Sequence, residues 1–136
     1  MTDSVFLDTN ILIYAYSIDQ QIKRDIVNKI LQSHSTIIIS TQVINEFINV
    51  MTKKKVADYH KISIMINDFS ENFLVKNINL SNIKMAIDLA NKYKYSYFDC
   101  LILSSAISSD CRTLYSEDMH HHQVVEGDLK IINPFK

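Results

Sequence analysis

Short apolar runs separated by helical patterns constrain the fold of this chain more than any other feature of its sequence. SVFLDTN (4–10) and STIIIST (35–41) have the composition of buried strands, and the second contains three consecutive isoleucines. RTLYSED (112–118) and LKIINPF (129–135) are shorter candidates for strands. Because strands that alternate with helices form mostly parallel sheets, we predict an α/β fold with helices on both faces of one sheet.

Four segments carry apolar residues at the spacing of an amphipathic helix. They are 41–55, 58–73, 81–94 and 96–109. We predict helix N-caps at Thr41, Ser81 and Ser96, because Ser and Thr side chains accept hydrogen bonds from the free N–H groups of a first turn. In a sheet of this kind, ligands bind at the carboxyl ends of the strands.

The composition is that of an ordinary globular domain. With 136 residues, 47% hydrophobic and 21% charged, the chain is neither disordered nor fibrous, and a net charge of −1 means that a nucleic acid must meet a local basic patch. No run predicts a membrane span or a secretory signal, and the first basic residue is Lys23. We expect Cys100 and Cys111, on or just past one predicted helix, to lie ~16 Å apart, as reduced thiols of a cytoplasmic protein.

Two acidic residues follow predicted strands directly. Asp8 stands after VFL, at the edge of the sheet where functional groups collect, although it also suits the N-cap of a helix starting near Ile11. Asp118 ends RTLYSED, and Glu117 beside it competes for any role. Since neighbouring side chains of an extended segment point to opposite sides, we expect at most one of the two to face a site.

Two further acidic residues lie on predicted helices. Glu46 sits on the margin of an apolar stripe, where a charge is costly unless it is paired, bound to a cation or extended to the helix rim. Asp99 matches a capping pattern in SYFD, and a first-turn acid also complements the helix dipole. The same helix start would direct Asp99 toward the strand ends where Asp8 is expected.

Considered together, the four carboxylates favour a site for a divalent cation. Clustered carboxylates repel and desolvate one another, and a hard cation such as Mg²⁺ or Mn²⁺ relieves that repulsion. Such a cation, completed by substrate phosphate, supports the hydrolysis of phosphodiester bonds.

Two runs of identical residues have less specific interpretations. The basic run is Lys53, Lys54 and Lys55. It either complements the end of its helix or binds an RNA backbone, and the sequence leaves both open. Three consecutive histidines at 120–122 point in different directions in an extended loop, so we expect an exposed loop rather than one metal site; an RNA phosphate contact is the weaker alternative.

With these residues in view, the sequence resembles PIN-domain ribonucleases, specifically the VapC-type toxins of type II toxin–antitoxin pairs. The resemblance extends over nearly the whole chain and lies in four blocks. They are FLDTNILIYA, NEF, YSYFDCLILSSAI and LYSEDMHHHQVVEGDLKIINPF. Cys100, where alanine is common, and the histidines at 120–122 depart from the pattern.

The resemblance implies a single PIN domain over residues 1–136, a three-layer α/β/α sandwich, and a Mg²⁺- or Mn²⁺-dependent endoribonuclease activity. Matched position by position, it implies an acidic quartet. The four catalytic residues would be Asp8, Glu46, Asp99 and Asp118. Asn10 and Ser116 match the polar residues that orient the quartet.

Within the quartet, we expect Asp8 and Asp99 to hold the principal metal with help from Asp118. Glu46 is expected to bind a second metal or to position water.

The resemblance also implies an RNA substrate, a cognate antitoxin whose tail covers the acidic pocket, and a homodimer without any membrane partner. Two alternatives keep the fold: an RNA-processing nuclease without a toxin role, and a catalytically silent domain that only binds a partner. Aspartyl-phosphate chemistry at Asp8 is a third, disfavoured because DTN lacks the second acid of a DxD motif.

Overall fold

A computed structural model describes residues 4–136. Within them, six strands form one sheet: β1 (Ser4–Leu7), β2 (Thr36–Ser40), β3 (Leu74–Lys76), β4 (Thr113–Tyr115), β5 (Val124–Val125) and β6 (Leu129–Ile132). Their order is β3-β2-β1-β4-β6-β5, and all neighbours pair in parallel except β5 and β6. The prediction of a mostly parallel sheet is confirmed. Residues 1–3 of the predicted domain lie outside the described residues.

Six helices in the same part of the chain complete a three-layer α/β/α sandwich, as predicted. They are α1 (Thr9–Tyr14), α2 (Gln21–Ser33), α3 (Thr41–Lys53), α4 (Tyr59–Asn72), α5 (Leu80–Tyr93) and α6 (Tyr97–Ser108). None of these helices combines the length and the apolar character that crossing a membrane requires. Cys100 and Cys111 are both buried and free, in agreement with the prediction.

Strand β2 passes directly into α3, and this junction corrects one predicted cap. Ser40, the last residue of β2, has extended backbone (φ −115, ψ 167) and accepts a hydrogen bond from the Val43 N–H at 3.3 Å. Thr41 is therefore the first helical residue rather than the N-cap, and its hydroxyl accepts from the Ile78 N–H at 3.2 Å instead. The start of α3 is thus fixed at the carboxyl end of β2.

The predicted N-cap is wrong for α5 and confirmed for α6. Asn79, not Ser81, caps α5, because Asn79 and Asn82 exchange hydrogen bonds of 3.1 Å between side chain and backbone. Ser96 caps α6 as predicted, accepting from the Asp99 N–H at 3.2 Å. Asp99 consequently occupies the first turn of α6.

Strand β1 lies at the centre of the parallel part of the sheet, between β2 and β4. Phe6 and Leu7 are completely buried. The Asp8 N–H donates to the Tyr115 carbonyl at 3.0 Å, which continues the pairing of β1 with β4 past Leu7. This bond leaves Asp8 at the carboxyl edge of the sheet, beside the residue that follows β4, Ser116.

Candidate active site

An acidic pocket opens at the carboxyl edge of the sheet, next to the end of β1. Its cavity volume is about 340 Å³. The lining residues are Asp8, Thr9, Asn10, Ile13, Glu46, Asn49, Val50, Asp99 and Asp118. All four acids singled out from the sequence therefore surround one cavity, and its lining, drawn from residues 4–136, contains no Lys, Arg or His.

Asp8 is the most deeply placed of these acids, with 6% of its surface exposed. It caps α1 and also lines the pocket, so the predicted N-cap and the predicted place at the edge of the sheet are both found. One carboxylate oxygen accepts from the Thr9 N–H at 2.7 Å, and the other accepts from the Ser116 hydroxyl at 2.8 Å. Burial raises its pKa from 3.8 to about 7; these two hydrogen bonds oppose the rise, while the charges of Glu46 and Asp99 add to it.

Asn10 connects Asp8 to the loop after β4. Its side-chain N–H donates to Asp118 Oδ2 at 2.9 Å and lies 3.5 Å from Asp8 Oδ2, while its Oδ1 accepts from the Glu117 N–H at 3.2 Å. Ser116 of the same loop is completely buried. The two polar residues matched from the sequence thus contact the acids that they were expected to orient.

Glu117 and Asp118 point in different directions, although they lie in a bend after β4 rather than in the extended backbone on which the prediction rested. Glu117 forms an ion pair with Lys23 and accepts from the Tyr14 hydroxyl at 2.6 Å. Burial favours a higher pKa for Glu117, but the hydrogen bonds from Lys23 and Tyr14 outweigh it and lower the pKa. The Lys23 ammonium also lies 4.6 Å and 5.0 Å from the ring centres of Tyr14 and Phe135. Asp118 is therefore the acid of this pair that faces the pocket.

Glu46 projects from α3 and is held by neutral partners. The Thr9 hydroxyl donates to its Oε1, and the Gln42 amide donates to its Oε2 at 3.3 Å. Neither partner is predicted for this contact from the sequence. Gln42 and Glu46 are four positions apart, a spacing that places two side chains on one helix face. This spacing is the signal that could have indicated Gln42 as a partner of Glu46.

Asp99 reaches the pocket from the first turn of α6. Its carboxyl is half-buried, and burial raises its pKa. The Ser96 hydroxyl opposes this rise, whereas the nearby charge of Asp118 adds to it. The rise therefore comes mainly from burial, with a smaller contribution from the neighbouring carboxylate.

The donor set fits a hard divalent cation, since carboxylate oxygens are the ligands that Mg²⁺ and Mn²⁺ prefer. Burial, with a smaller contribution from the charges of Glu46 and Asp99, raises the pKa of Asp8, and a bound cation would oppose that rise. As the side chains of residues 4–136 lie, however, no three His, Cys, Asp or Glu are grouped closely enough to hold a metal ion. Holding a cation therefore requires rotation, above all of Asp99 and Asp118, which are less buried than Asp8.

The lysine run lies at the end of α3 and is exposed. Lys53 is the last residue of the helix and Lys54 its C-cap. Lys53 follows Asn49, which lines the pocket, by four positions, so Lys53 extends the same helix face one turn further.

The three histidines turn to different neighbours. The ring of His120 lies 5.3 Å from that of Tyr95, while His121 accepts from the Asn133 N–H at 2.9 Å. The rings of His121 and His122 stack at 3.6 Å. His120 and His122 are exposed and His121 is half-buried, in a loop without strand or helix structure. The loop is as expected, but the three side chains do not all point in different directions, because His121 is half-buried and its ring stacks on that of His122.

Comparison with known proteins agrees with the architecture. The fold is similar to that of a toxin–antitoxin complex from Klebsiella pneumoniae (TM-score 0.71, 22% identity, 97% of this chain and 98% of that chain). It is also similar to VapBC-1 from nontypeable Haemophilus influenzae (TM-score 0.67, 21% identity, 98% of this chain and 99% of that chain). A third similar structure is VapC20 from Mycobacterium tuberculosis, a sarcin–ricin loop cleaving toxin (TM-score 0.66, 11% identity, 81% of this chain and 86% of that chain).

At these identities the structural similarity establishes the fold. No curated protein sequence matches the chain significantly. Residues 5–127, however, match the model of the PIN domain family, and this match spans the strands and helices that build the acidic pocket. The chain therefore belongs to the PIN domain family.

Proposed function

We propose that this chain is a metal-dependent endoribonuclease that hydrolyses RNA phosphodiester bonds and acts as the toxin of a toxin–antitoxin pair. The observation that carries the proposal is the convergence of four carboxylates, from three helices or helix caps and one loop, on a pocket whose lining within residues 4–136 includes no basic side chain. Similar folds in toxin–antitoxin complexes support the biological role.

In this proposal Asp8, Asp99 and Asp118 hold Mg²⁺ or Mn²⁺. When bound there, such an ion would neutralise a substrate phosphate, supply a nucleophilic water at neutral pH and stabilise the leaving oxygen. Asp8 is kept in place by Ser116 and by the first N–H of α1, and Asn10 donates a hydrogen bond to Asp118. The contacts of Asp8 fix the ligand that is already in position, while Asp99 and Asp118 would rotate toward it to complete the metal site.

Glu46 has the role of orienting water or a second ion. The Thr9 hydroxyl and the Gln42 amide each donate to one of its carboxylate oxygens, which leaves the remaining lone pairs to accept from a water molecule.

The proposal also covers the extent of the domain, its location and its partners. It comprises a single PIN domain over residues 1–136, a cytoplasmic location, an antitoxin that covers the pocket and a homodimer. The two free, buried cysteines are in keeping with a reducing compartment.

Purified protein is expected to cleave structured RNA when Mg²⁺ or Mn²⁺ is present and to stop when EDTA removes the ion. The reaction is followed on end-labelled transfer and ribosomal RNA, with restoration of cleavage by excess Mn²⁺ as the control for EDTA. Cleavage that continues unchanged in EDTA would contradict the metal-dependent mechanism. Absence of cleavage on every RNA class with either ion would contradict the enzymatic proposal as a whole.

Replacing Lys53, Lys54 and Lys55 together by Gln is expected to raise KM for RNA several-fold with kcat unchanged. The reason is the position of these exposed cations one turn beyond the pocket, where an RNA strand leaving it would pass. The slope of log affinity against log salt should become shallower by about 0.7 for each phosphate that the three lysines neutralise. Lys29→Gln and Lys84→Gln, exposed on α2 and α5, are the matched controls. An unchanged slope would leave the run only its helix-end role.

A further inference from the structure

Gln42 is a buried polar residue in the first turn of α3, with 8% of its surface exposed. Its side-chain nitrogen donates to the Phe98 carbonyl at 3.0 Å and to Glu46 Oε2 at 3.3 Å. Phe98 directly precedes Asp99 in the first turn of α6. One amide group therefore connects Glu46 on α3 to the backbone that carries Asp99.

The orientation of this amide is determined by its neighbours. Both contacts of Gln42 are with oxygen atoms that accept hydrogen bonds, so the donating nitrogen must face them and a flipped amide would set oxygen against oxygen. The Gln42 carbonyl oxygen then points away, and it has no hydrogen-bond partner among residues 4–136. A buried acceptor without a donor destabilises a fold.

An apolar side chain of the same shape would fill this position without a stranded oxygen, but it would also remove the hydrogen bonds to Glu46 and to the Phe98 carbonyl. What Gln42 adds is two donated hydrogen bonds, and both go to groups that set the positions of acids in the pocket. Local arrangements that destabilise a fold are typical of functional sites. Gln42 therefore has the character of a residue retained for the geometry of the site.

We infer that Gln42 is a positioning residue. It orients the Glu46 carboxylate and holds it at a fixed position relative to Asp99. Thr9 donates to one oxygen of Glu46 and Gln42 to the other, so the carboxylate plane is held from α1 and from α3 together. Gln42 itself contacts no substrate in this arrangement and acts through Glu46. The inference rests on the proposed nuclease function and adds a residue to it.

The test is Gln42→Met, which keeps an unbranched side chain of similar length and removes both donors. We expect kcat for RNA cleavage to fall by about 10- to 100-fold, as for other partners of metal-site ligands, with KM within about threefold of the wild type. The thermal midpoint of the metal-free protein should change little, because removal of the stranded carbonyl oxygen offsets the loss of the two donated hydrogen bonds.

Two variants serve as controls. Gln32→Met makes the same chemical change at an exposed position of α2 and should leave kcat and the midpoint unchanged. Leu89→Ala removes a buried side chain of α5 that does not line the pocket, and it should lower the midpoint without a comparable loss of kcat below the transition. A Gln42→Met protein with wild-type kcat, or one whose midpoint falls as far as that of Leu89→Ala, overturns the inference.

A readout on the metal-free protein does not depend on catalysis. The side-chain amide protons of Gln42 should exchange with solvent far more slowly than those of Gln32 in ¹H–¹⁵N spectra, since its nitrogen is buried and donates two hydrogen bonds. Equal exchange rates at the two residues overturn the inference. An inactive wild-type protein would instead refute the proposed function, and active wild type with fully active Gln42→Met would refute the positioning role alone.

Discussion

Asp8→Asn is expected to lower kcat for RNA cleavage by about 10³-fold or more, the largest loss of any single change in the pocket. The substitution removes a carboxylate that accepts hydrogen bonds from the Thr9 N–H and the Ser116 hydroxyl, on a residue whose backbone N–H is bonded to the sheet. In the proposed mechanism it takes away one ligand of an ion that supplies several kcal/mol of transition-state stabilisation, and each ~1.4 kcal/mol is a factor of ten in rate.

The same variant should be at least as stable as the wild type when no divalent cation is present. Asn fits the space, accepts from the Thr9 N–H and still caps α1, while the buried charge near Glu46 and Asp99 disappears. Quantitative RNA cleavage and chemical denaturation in EDTA measure the two effects. Asp88→Asn, an exposed acid on α5, is the control and should change neither. An Asp8→Asn protein that no longer cleaves RNA yet still arrests growth would separate toxicity from the nuclease.

The free energy of unfolding of the metal-free protein is expected to fall as the pH rises from about 4 to about 7. Asp8 has a pKa of about 7 in the folded chain and 3.8 as its ordinary value, so between these limits the folded state keeps a proton that the unfolded state releases. The stability linked to that proton is complete below the lower value and is lost as the pH passes the upper one. The raised pKa of Asp99 acts in the same direction.

A divalent cation should reverse this loss, because it binds the ionised carboxylates of the folded state. At a free Mn²⁺ concentration of about 100 times the dissociation constant, the gain is about 2.7 kcal/mol. Urea unfolding between about pH 4 and 8, with EDTA or with Mn²⁺, compares wild type with Asp8→Asn, whose curve should lack most of the pH-dependent fall. Calorimetry that finds no Mn²⁺ binding above pH 7 would favour a domain that only binds a partner.

Much of the fold follows from short-range patterns in the sequence. The isoleucine run of β2 and the VFL of β1 are apolar enough to indicate central strands, and both are. Once the sheet is parallel, the end of β1 and the end of β4 must share an edge, which brings Asp8 and Asp118 near each other without further information. Ser96 and Asp99 carry a local signal as well, since a helix start depends on the residues within one turn.

Other elements lack such signals. β3 and β5 contain three and two residues and depend on pairing with neighbours already in place. α2 begins without a side-chain cap hydrogen bond, so its start has no marker in the sequence. The contact of Gln42 with the Phe98 carbonyl joins residues 56 positions apart. Contacts of this kind depend on tertiary packing, which neither periodicity nor spacing reveals.

The ion pair between Lys23 and Glu117 bears on the order in which ligands arrive. Lys23 lies against the rings of Tyr14 and Phe135, and its charge is already taken up by Glu117. It therefore adds little attraction for a polyanion at the neighbouring pocket, whose acids repel phosphate at neutral pH. For the proposed enzyme this favours ordered binding: the cation enters first, and RNA associates productively only with the loaded protein.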